Sequence, residues 1–206
     1  ALPISASRGE ETCRRGCRQA SDKNGLMQNR IETEHLILRV LKPTEAVIVA
    51  AFYSRNFSDF AKYEPLVRRQ SLSTRYQRKV LDLEDRYRKD GKRIRYYMFQ
   101  KYDPFRTIGT VSFRELDKDG KAATTVGYKV DLEFRRRGFA KESLSALIPI
   151  VEREYGVRHI RAEVLTTNRP SQNLLSGLGF KRTALLEGHT KLNGQKLDEY
   201  LYVRDD

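Results

Sequence analysis

The chain has 206 residues, a formal net charge of +13, 39% hydrophobic residues and 33% charged residues. This apolar content is enough to bury a core, so a wholly disordered chain is excluded, and the length favours one domain. No apolar run approaches the roughly 18 residues of a membrane-spanning helix, and residues 1–25 lack the apolar segment of a secretory signal. We therefore expect a soluble, cytoplasmic protein that makes no membrane contact.

Residues 1–26 differ in composition from the rest of the chain. They are small and polar, show no apolar periodicity and contain both cysteines, Cys13 and Cys17. Two cysteines are too few for a disulfide scaffold, and no second cysteine pair completes a four-coordinate zinc site, so no metal is expected. The sequence predicts a flexible extension over 1–26 and a single folded domain over 27–206, which carries most of the positive charge.

The predicted elements follow one another in the order β-α-α-β-β-β-α-β-α-β-β. A strand over 31–40 precedes a helix that begins after Pro43 and a second helix over 74–90, which has apolar residues at helical spacing. Three strands follow, over 95–101, 107–116 and 122–130, and then a helix over 140–155. After these come a strand over 160–165, a short helix over 171–178 and a final strand pair over 185–189 and 197–203. A turn signal at 117–120 joins two of these strands. The alternation predicts an α/β (α+β) fold with a mixed sheet flanked by helices.

A strand that ends near residue 132 leads into a basic turn and then a helix, through the run Arg135-Arg136-Arg137-Gly138-Phe139-Ala140. Amides in the first turn of a helix have no intrahelical partner, and together with the helix dipole they form an anion site. Gly138 permits close backbone approach, and the arginines add fork-shaped donors. This pattern predicts a pyrophosphate ligand, although the residues alone also fit a solvated charge run or a nucleic-acid patch.

Residues 135–140 resemble the Q/R-x-x-G-x-G/A signature of the GNAT superfamily of acyl-CoA-dependent N-acetyltransferases. Downstream, Asn168-Arg169-Pro170-Ser171 and Leu178-Gly179-Phe180 resemble the N-x-x-S and L-G-F elements of its RimJ/RimL-type branch, the ribosomal-protein N-terminal acetyltransferases. The opening at 31–39 and the closing element at 193–200 are similar to that branch as well. The resemblance covers about 30–203, which is nearly all of the predicted domain.

The resemblance implies the GNAT fold, a mixed, mostly antiparallel twisted sheet whose central strands, here 128–132 and 160–165, splay apart to admit acetyl-CoA. The main chain of Val130 and Leu132 would bond the pantetheine, the turn amides would hold the pyrophosphate, and Asn168 would contact the cofactor arm. Either Arg135 or Arg136 would lie near the 3'-phosphate. The implied cofactor-binding residues are Val130, Leu132, Arg135, Arg136, Arg137, Gly138, Phe139, Ala140 and Asn168.

The implied reaction is direct attack of a neutral amine on the thioester, which requires a base, an oxyanion donor and an acid. The Val130 amide is the candidate oxyanion donor. Leu175 stands where many superfamily members have a tyrosine acid, so Ser171 is the candidate general acid, with helix capping as its alternative role. The base stays open among Glu115, Glu163, Glu187, His189 and Asp198.

The leading hypothesis is an N-acetyltransferase that moves an acetyl group from acetyl-CoA to a primary amine, such as the N-terminal amine of a ribosomal or other protein. One alternative is acetylation of a small amine, either a polyamine or an aminoglycoside. The other is a catalytically silent module that uses its basic surface on RNA or the ribosome. Under the leading hypothesis nucleic-acid contact is only indirect, and the protein is a monomer or a homodimer.

Overall fold

The structure is a computed structural model that describes residues 28–63, 69–116, 123–192 and 194–205. The predictions for the extension over 1–26, for the start of the domain at residue 27 and for the turn at 117–120 lie outside the described residues. Among the described residues, no helix combines the length and the apolar character needed to cross a membrane.

Eight strands form one sheet with four helices packed on its two faces. The strands are β1 (Arg30–Glu32), β2 (Leu36–Arg39), β3 (Arg93–Gln100), β4 (Asp103–Arg114), β5 (Ala123–Val130), β6 (His159–Leu165), β7 (Lys181–Leu192) and β8 (Gln195–Asp205). The helices are α1 (Ala46–Phe60), α2 (Thr74–Lys89), α3 (Phe139–Tyr155) and α4 (Arg169–Gly177). The sheet order is β1-β2-β3-β4-β5-β6-β8-β7, and only the β5–β6 pair is parallel, which confirms the predicted mixed, mostly antiparallel sheet.

Alternate residues of β3 point to opposite faces of the sheet and define two apolar layers. Ile94, Tyr96 and Met98 join the larger core, which includes residues of α3 and α4 such as Leu147 and Leu175. Tyr97 and Phe99 pack instead with apolar residues of α1 and α2, namely Ala46, Val49 and Leu81. The helices therefore divide by sequence position, with α1 and α2 on one face and α3 and α4 on the other.

Two predicted elements differ in detail from the structure. The strand predicted over 31–40 is divided into β1 and β2, because the chain turns at Thr33, whose N–H and side-chain hydroxyl both bond to the Leu36 carbonyl. Helix α3 begins at Phe139, one residue before the predicted start, and continues through Pro149 to Tyr155. It is followed by Gly156, a residue with a φ of +63°. A left-handed glycine at this position is the usual C-terminal stop of a helix.

The central feature of the sheet is a gap between β5 and β6. The two strands pair only from Ala123 with His159 to Thr125 with Arg161, and they run on unpaired to Val130 and Leu165. The Asp131 N–H bonds to the Ile108 carbonyl of β4 at 2.8 Å. Because main-chain groups alternate in direction along a strand, those of Val130 point away from β4 and into the gap. The predicted splaying of the central strands is confirmed.

Gly109 sits opposite Val130 at the point where β5 diverges, and a side chain there has no room. A Cβ would lie 2.6 Å from the Met98 sulfur and 2.7 Å from the Lys129 carbonyl oxygen, which moves only if β5 moves. We expect Gly109→Ala to lower the free energy of unfolding by about 1–3 kcal/mol, measured by urea denaturation. Gly177→Ala in α4 is the control, since nothing lies within 4 Å of its Cβ position. Equal denaturation midpoints for the two variants would contradict the packing argument.

Candidate active site

A cleft of about 500 Å³ lies on the sheet face that carries α1 and α2. Its walls include residues of α1, α2 and α4, of β3 to β6 and of β8, and its charged lining consists of Arg93, Arg95, Arg114, Lys129, Glu163 and Glu199. The lining also includes Tyr128, Asn168 and Ser171, which stand at the gap on the side of α4. The cleft and the gap are therefore one continuous space that passes between the two splayed strands.

The turn between β5 and α3 exposes a run of unbonded backbone donors. Arg136 has a φ of +58° and Gly138 a φ of +81°, so the chain takes two left-handed steps before the helix begins. The first bond that closes the helix is from the Glu142 N–H to the Gly138 carbonyl, at 2.9 Å. Within the described part of the chain, the N–H groups from Arg136 to Lys141 have no protein acceptor. These donors lie at the positive end of the α3 dipole, an arrangement that can hold an anion.

Helix α1 holds the start of this turn with three consecutive contacts. Arg55 Nε donates to Asp131 Oδ2 at 3.2 Å, and the Leu132 N–H donates to Asn56 Oδ1 at 2.9 Å. The third contact is an ion pair between Asp59 and Arg135. Two of the predicted cofactor residues are consequently engaged inside the protein. The Leu132 N–H has an internal acceptor, which leaves its carbonyl, and the Arg135 guanidinium is neutralised by Asp59 and also donates to the Val130 carbonyl at 3.3 Å.

The remaining residues of the turn divide between solvent and core. Arg136 and Arg137 are exposed, and Arg137 lies over the Phe134 ring at 5.1 Å. Arg136 forms no ion pair with any described residue. Phe139 is buried and packs near Phe134 with ring centroids 6.3 Å apart, which anchors the first turn of α3. Ala140 follows half-buried, so a small side chain stands next to the donor run.

Asn168 caps α4, and this assignment changes the interpretation of Ser171. The Asn168 Oδ1 accepts the Ser171 N–H at 3.3 Å, and α4 begins at Arg169 instead of at the predicted residue 171. Ser171 therefore lies within the first turn of the helix, so the alternative that it caps the helix is wrong. The cap occupies the Asn168 oxygen, which leaves its amide nitrogen as the polar group for the gap.

The Ser171 hydroxyl instead meets a tyrosine that the sequence analysis did not single out. Its Oγ lies 2.6 Å from the Tyr128 hydroxyl, which reaches across from β5. Burial raises the pKa of Tyr128 to about 12, against a smaller opposing effect of the bond to Ser171. Tyr128 thus keeps its proton near neutral pH and can donate it to Ser171, and the serine proton is then free to point into the gap. The available signal was the period of the strand, which places the side chains of Tyr128 and Val130 on the same face of the sheet.

Three ionisable side chains meet on the opposite side of the gap. The His189 Nε2 lies 3.7 Å from a Glu163 oxygen and 3.9 Å from a Glu199 oxygen. One ligand atom from each of the three lies within 4.8 Å of the others, so each group lies in the electrostatic field of the other two. Burial first, and then the charge of Glu163, raise the pKa of Glu199, while His189 and Arg114 act in the other direction. Glu199 was not among the predicted bases, yet it pairs in register with Leu165 at the end of β6.

The other predicted bases lie elsewhere. A Glu115 oxygen accepts the Thr125 hydroxyl at 3.0 Å at the closed end of the β5–β6 pair, and Asp198 accepts the Gly188 N–H at 2.8 Å within the β7–β8 hairpin. Neither they nor Glu187 line the cleft. Of the predicted bases, Glu163 lines the cleft, and His189 lies beside it at 3.7 Å.

Comparison with known proteins agrees with this geometry. The acetyltransferase (GNAT) domain profile matches residues 35–181. The [ribosomal protein uS5]-alanine N-acetyltransferase of Escherichia coli (strain K12) is 23% identical over 172 residues, which cover 84% of this chain and 88% of that protein. Two solved structures share the fold. The ribosomal-protein-S5-alanine acetyltransferase of Vibrio fischeri has a TM-score of 0.80 at 23% identity, covering 85% of this chain and 96% of its own. RimL, a ribosomal L7/L12 α-N-protein acetyltransferase in complex with coenzyme A, has a TM-score of 0.78 at 20% identity, covering 85% and 97%.

Because the domain profile spans most of the chain, the chain belongs to the GNAT acetyltransferase family. It is accordingly an acetyl-CoA-dependent N-acetyltransferase of mixed α/β fold, similar to RimJ/RimL-type enzymes. The predicted family, fold, enzyme class and cofactor are confirmed.

The raised pKa of Glu199 leads to a testable prediction. Since part of the rise comes from the negative charge of Glu163, Glu163→Gln should move the pKa of Glu199 downward. A carboxyl-carbon NMR titration of the two proteins would measure the shift. His189→Asn is the matched control with the opposite sign, because loss of a nearby positive charge should raise the same pKa. A downward shift in both variants would contradict this assignment of causes.

Proposed function

We propose that this acetyltransferase acts on the α-amino group of a protein N-terminus, with the two substrates meeting in the β5–β6 gap. The observation that carries the proposal is the arrangement of the gap itself. The turn that offers unbonded N–H groups lies at one end, and the charged cleft opens on the face of α1 and α2. Similarity to enzymes named for N-terminal acetylation of ribosomal proteins supports the choice of a protein amine.

The residues of the turn fit a diphosphate. A Cβ at Gly138 would have no atom within 4 Å, so the backbone presents its N–H groups to open space. In the proposal, the N–H groups from Arg136 to Ala140 hold the pyrophosphate. Arg136 then serves the 3'-phosphate in place of Arg135, because Arg135 is held by Asp59. The Asn168 amide nitrogen faces the cofactor arm.

The strand edge supplies the remaining contacts. Acetyl-CoA provides a thioester, whose carbonyl carbon is the electrophile for the amine. The Val130 main chain points into the gap, so its N–H is the proposed donor to the carbonyl oxygen of that thioester. The Leu132 N–H donates to Asn56, so the Leu132 carbonyl is the main-chain group that can bond the pantetheine.

Protons enter and leave on opposite sides of the sheet. Glu199 is the proposed base that removes a proton from the acceptor ammonium, because burial and Glu163 raise its pKa above that of an ordinary carboxylate. On the α4 side, Ser171 holds the proposed acidic proton at its Oγ, with the Tyr128 hydroxyl orienting it. This separation places the base next to the acceptor cleft and the acid next to the leaving thiolate.

The cleft does not favour the small-amine alternative. A polyamine or an aminoglycoside carries several positive charges and needs an acidic groove. The charged lining instead comprises four cations, Arg93, Arg95, Arg114 and Lys129, against two carboxylates, Glu163 and Glu199. A peptide N-terminus presents a single ammonium, which the two carboxylates can receive.

The first functional test concerns Gly138. A leucine at Gly138 should strain the left-handed backbone and cover the donor run, so we expect a loss of coenzyme A affinity of at least about tenfold, measured by calorimetry. Gly156→Leu is the matched control, because Gly156 ends the same helix in the same left-handed region with open space around it. Both variants carry a similar strain, but only the first should lose coenzyme A. Equal affinity in the two proteins would refute the proposed pyrophosphate site.

The second test concerns the hydroxyl pair. We expect Ser171→Ala to lower kcat by about a hundredfold or more, with near-normal affinity for coenzyme A, since a positioned acid contributes at least that much. Tyr128→Phe should lower kcat less, because Ser171 keeps its own proton. Turnover by thiol release with N-terminal peptides measures both. Undiminished turnover in Ser171→Ala would exclude it as the acid.

A further inference from the structure

Two arginines stand directly opposite each other in the cleft. Arg93 of β3 and Arg114 of β4 are register partners on neighbouring antiparallel strands, and both line the space. Like charges directly opposite each other in a sheet are destabilising unless something neutralises them. The repulsion between the two guanidinium groups therefore lowers the stability of the β3–β4 pair at this position.

The protein itself does little to neutralise the pair. The nearby Glu84 is taken by Arg95 at 2.6 Å and also accepts the Tyr97 hydroxyl at 3.2 Å. Among the described residues, the Arg93 side chain has no ion pair or hydrogen bond, and its Nε is buried without an acceptor. Within the same part of the chain, the Arg114 side chain has one ion-pair partner, Glu163, at 4.0 Å.

The electrostatic environment of Arg93 favours contact with an anion. Burial, followed by the charges of Arg95 and Arg114, lowers the pKa of Arg93, and the attraction of Glu84 does not compensate. Arginine nevertheless stays charged in proteins, so the group keeps a positive charge in a partly buried position. A buried donor without a partner costs free energy that a bound carboxylate would recover.

The two arginines adjoin the acids that receive the acceptor amine. Arg114 lies next to Glu163, which lies within reach of His189 and Glu199. An acceptor that fits this pattern has an ammonium and a carboxylate only a few bonds apart. We propose that Arg93 and Arg114 form a carboxylate-binding subsite that selects protein N-termini with an acidic side chain at the first or second residue. This selectivity rests on the proposed function.

Matched peptides test the subsite directly. The pairs Ser-Glu-Ala-Ala and Ser-Gln-Ala-Ala, and Glu-Ala-Ala-Ala and Gln-Ala-Ala-Ala, with amidated C-termini, differ only in one charge. We expect the full chain to acetylate the better acidic peptide with a kcat/KM about tenfold or more above its neutral partner, the size of a charge-assisted bond. Arg93→Gln should reduce that ratio to near one by raising KM for the acidic peptide.

Two controls separate selectivity from damage. Arg78→Gln removes an exposed arginine of α2 that does not line the cleft, and it should keep the full preference. Calorimetry of the same acidic peptide with coenzyme A present should show weaker binding to Arg93→Gln than to Arg78→Gln. Arg114→Gln serves as the second variant if Arg93→Gln does not fold.

The possible outcomes distinguish this proposal from the broader one. Acetylation of all four peptides at equal rates, or an acidic preference that survives both arginine variants, would overturn the subsite and leave N-terminal acetylation standing. Acetylation of free glutamate but of no peptide would overturn the proposed function. In that case, loss of glutamate turnover in Arg93→Gln would support the subsite, and unchanged turnover would reject it.

Discussion

The early end of pairing between β5 and β6 is the constraint on which the site depends. A parallel strand pair normally satisfies the main-chain groups of both partners, and an unpaired edge inside a sheet is costly. Here β5 stays hydrogen-bonded to β4, and β6 stays hydrogen-bonded to β8. The pairing between β5 and β6 ends after Thr125 and Arg161. The gap therefore preserves a set of donors and acceptors that an extended ligand can complete, much as another strand would.

The gap also separates two chemical environments. On the α3 and α4 side, Tyr128 belongs to the edge of the larger core, and its hydroxyl and that of Ser171 form a neutral pair. On the α1 and α2 side, Glu163 and Glu199 lie among arginines. Since successive residues of a strand face opposite ways, one strand pair can present proton donors to one compartment and carboxylates to the other. The sheet thus keeps the proposed acid and the proposed base on opposite faces.

Much of this architecture could be predicted from the sequence. Helix periodicity and turn residues predicted the element order, and the run 135–140 indicated where a helix start leaves N–H groups without acceptors. Asn168 and Ser171, which motif spacing singled out, both line the cleft. These successes share a local origin, because a turn, a cap and a helix N-terminus depend on adjacent residues.

The features that the sequence did not reveal have a non-local origin. Arg135 was one of two candidates for the 3'-phosphate, and the structure pairs it with Asp59 of α1, which lies 76 positions earlier. Glu199 and Tyr128 escaped notice because their importance comes from strand register and burial, which no short pattern records. The division of the first strand at Thr33 likewise reflects a competing side-chain bond in a run that otherwise alternates like a strand.

Helix α1 contacts both parts of the site. Near its middle, Tyr53 lines the cleft and accepts a bond from Lys129 at 3.2 Å, and within two turns Arg55, Asn56 and Asp59 hold the turn that precedes α3. A single helix of 15 residues therefore sets the position of one wall of the cleft and of the turn that precedes α3. If one ligand in the cleft and another at the turn each favoured a particular position of α1, each would change the affinity for the other by the same factor.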